Sequence, residues 1–151
     1  MEKFDIYIIK ETVNNPLLDL TNRHQLQDLW WKEKGFIGLN LELEEAKKIK
    51  NQLISKQMIT KISPVSYREK KNILYEEAKK IAKKELNALK LENKEYGELK
   101  EGIDSPIWFA FLADDYELQK QGYVPGYWGC YIDKLNGNII SKDIIMKYEF
   151  L

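Results

Sequence analysis

The sequence predicts an α+β fold for its 151 residues, and three features lead to this prediction. Several short segments alternate apolar and polar residues with the period of two that is typical of strands. Other segments repeat apolar residues every three or four positions, as amphipathic helices do. Finally, Asn136-Gly137 lies between two β-favouring segments, where it predicts a tight hairpin turn.

Residues 1–62 are predicted to form a β-α-β-α-β half-domain with its helices on one face of a sheet. Three strands are predicted where β-favouring residues dominate, over residues 4–9, 36–41 and 58–62. Two helices are predicted where apolar residues recur at helical spacing, from Thr21 or Asn22 to Lys34 and over residues 43–53.

Residues 63–151 are predicted to form a long helix packed on an antiparallel sheet of three or four strands. The helix is expected to begin at Ser66, because Ser66 and Glu69 have the spacing of a capping box. The strands are expected to begin at Trp108 and to include the hairpin arms Tyr127–Asp133 and Asn138–Ser141. Residues 93–104 and 114–125 are predicted to be loops, and residues 144–151 fit either a strand or a short helix.

Part of this second half resembles a known family. The helix from Glu76 to Lys84, the strand led by Trp108 and the hairpin from Tyr131 to Ile140 are similar to the PepSY-type, cystatin-like pattern. The resemblance covers roughly residues 66–141 and implies a helix wrapped by an antiparallel sheet. PepSY-type modules are usually exported or membrane-tethered, whereas this chain shows no signal segment and adds residues 1–62, which resemble no family. The resemblance therefore implies a fold and carries little weight for activity.

Charge and composition bear on the class of partner. The chain has 24 basic and 24 acidic residues, so no net field draws in nucleic acid or anionic lipid. Only Arg23 and Arg68 are arginines, the residue type that supplies most bidentate phosphate and guanine contacts. Glutamates interleave the lysine runs at 47–48 and 79–84, which predicts solvated helix faces. With no signal segment and no apolar run of about 20 residues, a cytoplasmic protein that binds neither nucleic acid nor membrane is expected.

No catalytic residue, metal site or cofactor is predicted. His24 and Cys130 are the single histidine and cysteine, and a thiolate nucleophile needs such an imidazole, but neither lies in a recognisable motif. Cys130 is expected in the core and His24 in solvent. Asp114, Asp115 and Glu117 offer carboxylates to a cation, although adjacent carboxylates at a strand end more often bond their own backbone. No nucleotide-binding motif occurs.

Aromatic residues near the predicted turns indicate a partner-binding surface. Tyrosine and tryptophan beside acidic groups are the residue types that dominate protein–protein hot spots. Consecutive helical residues diverge by about 100°, so Trp31 is expected to be exposed if Trp30 is buried. The predicted partner-binding residues are Trp31, Asp114, Asp115, Tyr116, Tyr123, Tyr127 and Trp128. In the alternative interpretation, which stays open here, these rings fill the junction between the two halves.

Three functional hypotheses follow from these features. The first is a non-enzymatic protein of a bacterium or its phage, of the immunity or inhibitor type, that occludes a protein partner such as a toxin. The second is an enzyme or small-ligand binder with a pocket between the long helix and the sheet, lined by Trp108, Tyr127 and Trp128 with Asp114 or Asp115 as the polar anchor. The third is a structural or accessory subunit. The first hypothesis predicts that Trp128→Ala or Asp115→Lys abolishes partner capture.

Overall fold

The computed structural model describes residues 2–10, 28–29, 36–55, 59–92, 95–102 and 105–149. These residues form an α+β fold with two antiparallel sheets, which confirms the predicted fold class. The chain divides into two compact units, residues 1–71 with 143–151 and residues 72–142. This division differs from the predicted one after residue 62, because the segment that follows the first sheet and the C-terminal helix both belong to the first unit.

The first unit contains a sheet of four antiparallel strands in the order β2-β3-β1-β4. The strands are β1 (Phe4–Lys10), β2 (Asp28–Leu29), β3 (Phe36–Leu41) and β4 (Ile59–Pro64). All three predicted strands are present. The first predicted helix is wrong at Asp28–Leu29, because these residues pair with β3, and apolar spacing alone does not separate short helical from extended segments. The rest of that predicted helix, including Trp31, lies outside the described residues.

Helix α1 (Leu43–Ser55) confirms the second predicted helix. Glu44 and Glu45 lie in its first turn, where the positive end of the helix dipole favours carboxylates. The helix packs on the sheet through Ala46, which is fully buried against Phe4 and Ile62. A small side chain at this position lets the helix approach the strands closely.

A buried carboxylate organises the region where β3 departs from regular pairing. The register between β1 and β3 shifts next to Asp5, and Asp5 is fully buried. Its Oδ1 accepts hydrogen bonds from the backbone N–H groups of Leu39, at 2.9 Å, and of Asn40, at 3.3 Å. Its Oδ2 accepts from Nε of Arg68 at 2.7 Å. The Asp5 carboxylate thus accepts hydrogen bonds from two backbone N–H groups beside the irregular pairing and from the Arg68 guanidinium.

The long helix predicted to start at Ser66 is interrupted. Residues Ser66–Glu69 form a short helix, α2, with no side-chain cap at its start, so the predicted capping box is wrong. Lys70 is extended, and helix α3 (Tyr75–Lys90) begins only after this break. Residues 70–73 separate the two helices, and the N–H of Ile73 donates to the carbonyl oxygen of Lys134 at 2.7 Å rather than within a helix.

The second unit contains an antiparallel sheet of three strands in the order β5-β6-β7. The strands are β5 (Lys100–Glu101), β6 (Trp108–Asp114) and β7 (Tyr127–Asp133). Both long strands lie where the sequence predicts them, whereas β5 falls in a predicted loop. Helix α3 covers one face of this sheet through a buried cluster of Ala78, Ala82, Phe111, Cys130 and Ile132.

The predicted hairpin turn after β7 is present, but its second arm is reduced. Gly137 has a φ of 75°, and its N–H donates to the carbonyl oxygen of Asp133 at 2.9 Å. Among the described residues Asn40 is the only non-glycine with a positive φ, so Asn136 does not adopt the conformation that a two-residue Asn-Gly turn requires. Residues 138–141 consequently contribute a single bridge, between Ile139 and Ile132, in place of the predicted strand.

Two further helices complete the described chain. Helix α4 (Tyr116–Lys120) lies inside the predicted loop 114–125. Helix α5 (Lys142–Glu149) shows that the tail is helical, the second of the two predicted alternatives. In the part of the chain that the structure describes, no helix combines the length and apolar character needed to cross a membrane.

Candidate partner-binding surface

Residues 114–128, which we call the acidic–aromatic tip, connect β6 to β7. Asp114 and Tyr127 are paired at the open ends of the two strands, and α4 and the segment 121–126 lie between them. The Val124–Pro125 peptide bond is cis. Six of the seven predicted partner-binding residues belong to this tip, and Trp31 lies outside the described residues.

Hydrogen bonds within the tip fix its backbone. Oδ1 of Asp115 accepts from the N–H groups of Glu117 and Leu118, both at 3.1 Å, which makes Asp115 the N-cap of α4. The carbonyl oxygen of Gly126 accepts from the Asp115 N–H and from Nε2 of Gln119, both at 3.1 Å. A Cβ at Gly126 would lie 2.9 Å from Cγ of Gln119 and 3.0 Å from its backbone N, so a larger residue here would require α4 to shift.

The capping role of Asp115 gives a testable prediction about stability. We expect Asp115→Ala to lower the free energy of unfolding by about 1 kcal/mol, the usual effect of removing an N-cap side chain. Asp115→Ser, which keeps a capping oxygen, is expected to cost much less. Urea unfolding followed by circular dichroism measures both values. Equal stability of Asp115→Ala and the unsubstituted protein would contradict the capping role.

The carboxylates of Asp114 and Asp115 are each engaged by neighbouring groups. Oδ2 of Asp114 forms an ion pair with Nζ of Lys100 at 3.1 Å, and its Oδ1 accepts from Nε2 of Gln119 at 3.3 Å. Asp115 bonds its own backbone, as expected for adjacent carboxylates at a strand end. Across the described ranges, no group of three or more His, Cys, Asp or Glu side chains is placed to hold a metal ion.

Large apolar side chains of the tip are exposed to solvent. The exposed fractions are 41% for Tyr116, 59% for Tyr123, 93% for Val124 and 44% for Tyr127. Sequence analysis missed Val124, although its place between a tyrosine and a proline in a short connection is a signal of exposure. The three exposed tyrosines and this valine give the tip an apolar surface beside its carboxylates.

Trp128 has a different environment from the other rings. It is half-buried and packs against the cluster beneath α3, on the same face of β7 as Cys130 and Ile132. The β6–β7 register places Trp108 and Tyr127 on the opposite face of the sheet, because neighbouring residues of a strand point to opposite sides. These three side chains therefore do not line one pocket between α3 and the sheet.

Cys130 is a core residue, as predicted. Burial, together with the nearby carboxylate of Glu85, raises the pKa of the Cys130 thiol to about 11. A thiol of this kind is neutral at physiological pH, whereas the nucleophilic species is the thiolate. His24, the other member of the pair considered for catalysis, lies outside the described residues.

Comparison of the chain with family models, with curated proteins and with solved structures found no match. The resemblance of residues 66–141 to the PepSY-type pattern stays a prediction. The functional argument therefore rests on the geometry and chemistry of the described residues.

Proposed function

We propose that this protein binds another protein through the acidic–aromatic tip and thereby occludes that partner, as non-enzymatic immunity and inhibitor proteins do. The observation that supports the proposal is the exposure of Tyr116, Tyr123, Val124 and Tyr127 on one short connection. Apolar surface of this kind is common at protein–protein interfaces, and tyrosine is enriched among the residues that dominate binding energy.

The internal bonding of the tip favours binding by a preformed surface. Asp115 caps α4, and Gln119 ties α4 to Gly126, so the backbone that carries the tyrosines is ordered before any partner arrives. Ordering a loop on binding subtracts from affinity. Tyrosine itself has only two side-chain torsions to fix and presents a large contact area. A partner that docks here therefore gains contact area at a small entropic cost.

Charge near the tip favours a partner with basic groups. Glu117 is exposed in the first turn of α4. Glu95 is also exposed, and its carboxylate lies 3.9 Å from Nζ of Lys120. Carboxylates around an apolar centre contribute mainly to the association rate and to the rejection of acidic partners. We propose a partner surface in which lysine or arginine side chains surround an apolar contact.

The proposal predicts that the tip tyrosines carry binding. Tyr123→Ala combined with Tyr127→Ala is expected to weaken the affinity by at least about 30-fold, the effect of losing about 2 kcal/mol at a hot spot. Affinity purification from the native host followed by mass spectrometry identifies the partner. Biolayer interferometry with that partner then measures the dissociation constants.

A matched control separates the tip from general surface apolarity. Ile139 is half-exposed in the same unit but lies outside the tip, so Ile139→Ala is expected to retain full affinity. Trp128→Ala and Asp115→Lys are weaker tests, because they remove a core contact and a helix cap. Equal affinity of the tyrosine double variant and the unsubstituted protein would contradict the proposal.

We also propose the cystatin-like arrangement and the cytoplasmic location that the sequence predicts, in that order. The packing of α3 across β6 and β7 supports the cystatin-like arrangement, although the helix has only 16 residues. A single, buried cysteine supports the second, since reducing compartments do not favour disulfides.

A further inference from the structure

The outer face of α3 carries a row of lysines, which we call the lysine stripe. Its members are all exposed and form no ion pair with any described residue: Lys79, Lys80, Lys83, Lys84 and Lys90. The helix rises 1.5 Å per residue, so the stripe extends for about 17 Å along the surface.

The glutamates of α3 form no ion pair with the lysines of this stripe. Glu76 and Glu77 lie in the first turn, before it begins. Glu85 is exposed, and its carboxylate contributes to the raised pKa of the Cys130 thiol. The exposure of the lysines agrees with the solvated helix face predicted for residues 79–84.

An open depression accompanies the stripe. It has a volume of about 470 Å³ and is lined by Lys80, Lys83, Lys84, Asn87, Ala88 and Leu91. Leu91 is 86% exposed. The surface thus combines exposed lysines with an exposed apolar side chain.

We propose that the lysine stripe binds an acidic protein segment that carries a large apolar side chain. Carboxylates of the segment pair with the lysines, and the apolar side chain enters the depression beside Ala88 and Leu91. Nucleic acid fits less well, because the stripe contains no arginine, the favoured bidentate phosphate ligand, and phosphates gain nothing from Leu91. This surface is separate from the acidic–aromatic tip and prefers the opposite charge.

The chemistry of the stripe determines how such binding responds to salt. Ion pairs between exposed side chains are individually weak, so several must form together with the apolar contact. Exposed pairs are also screened by salt. The affinity is therefore expected to fall as salt is added. The affinity that remains at high salt is expected to depend on the apolar side chain of the segment.

Fluorescence anisotropy tests this proposal with a labelled synthetic peptide of glutamates around a central phenylalanine. The variant Lys80→Gln/Lys83→Gln/Lys84→Gln is expected to bind this peptide at least about tenfold more weakly than the unsubstituted protein. The control variant Lys48→Gln/Lys70→Gln/Lys71→Gln removes the same charge at exposed lysines elsewhere and is expected to bind nearly normally. Leu91→Gln is expected to weaken binding of the phenylalanine peptide. The same variant is expected to bind an all-glutamate peptide as tightly as the unsubstituted protein does.

Each outcome decides the proposal. Selective loss in the stripe variant, with normal binding by Tyr123→Ala/Tyr127→Ala, supports a second surface that is independent of the tip. If both lysine variants lost peptide affinity equally, binding would depend on the net charge of the protein alone, and the proposal would be overturned. Absence of peptide binding by the unsubstituted protein, or tighter binding of duplex DNA than of the peptide, would also overturn it.

Discussion

Replacing Asp5 with alanine is expected to lower the free energy of unfolding of the first unit by about 3–5 kcal/mol, the usual effect of breaking a buried ion pair. The substitution leaves Arg68, whose side chain is 17% exposed, without its carboxylate. It also leaves the N–H groups of Leu39 and Asn40 without their acceptor. Because small domains are typically stable by only about 5–15 kcal/mol, this loss is a large fraction of the total. Urea unfolding followed by circular dichroism measures it.

An exposed ion pair of the same unit provides the control for Asp5. Lys3 pairs with Glu42, whose side chains are 41% and 45% exposed, so Lys3→Ala is expected to lower the free energy of unfolding by less than about 1 kcal/mol. In the Asp5→Ala background, Arg68→Met is expected to lower the free energy of unfolding by less than it does alone, because the Asp5–Arg68 ion pair is already absent. A cost for Asp5→Ala no greater than that for Lys3→Ala would contradict the assigned role of the buried pair.

Replacing Phe111 with alanine is expected to destabilise the second unit by about 3–5 kcal/mol, as truncation of buried aromatic side chains does. Phe111 is fully buried in the cluster that joins α3 to the sheet. Its ring also lies 5.7 Å from that of Tyr75, measured between centroids. Truncation removes these contacts and leaves a cavity under the helix. Phe111→Leu, which refills most of the space, is expected to cost markedly less.

The control for Phe111 is a ring of similar size on β7. Tyr127 is exposed, so Tyr127→Ala is expected to change the free energy of unfolding by no more than about 0.5 kcal/mol. Thermal unfolding followed by near-UV circular dichroism, which reports on packed aromatic rings, compares the variants. Similar transition temperatures for Phe111→Ala and Tyr127→Ala would show that the cluster does not hold the second unit together.

Elements with a strong local pattern were predictable from the sequence. β6 and β7 begin at the expected residues because aromatic side chains are dense there and glycine or proline precedes each strand. Helix α1 was predictable because its apolar spacing and the acidic residues of its first turn agree. In each of these elements, local preference and tertiary packing favour the same conformation.

Features that depend on distant residues were not predictable. The Asp5–Arg68 pair joins residues 63 positions apart, and no local pattern indicates such a partner. The break between α2 and α3 was missed because Ser66 and Glu69 have the spacing of a capping box, whereas the structure shows no such bond. Helix α4 was missed although Asp115 stands where an N-cap would stand, because a five-residue helix is too short to show periodicity.

The candidate site was partly predictable for the same reason. Residue type and proximity to a turn were sufficient to select Tyr116, Tyr123 and Tyr127, which are exposed. They were not sufficient for Trp128, because only the strand register shows which face of β7 it occupies. The lysine run at residues 79–84 was predicted as a solvated helix face, and its lysines are exposed.

Hydrogen exchange of the protein, alone and bound to its captured partner, tests the role of the acidic–aromatic tip most directly. We expect partner binding to slow exchange of the amides in residues 116–127 and to leave those of β1 and β4 unchanged. Protection confined to other described residues, with unchanged exchange across the tip, would contradict the proposal that this surface occludes a partner.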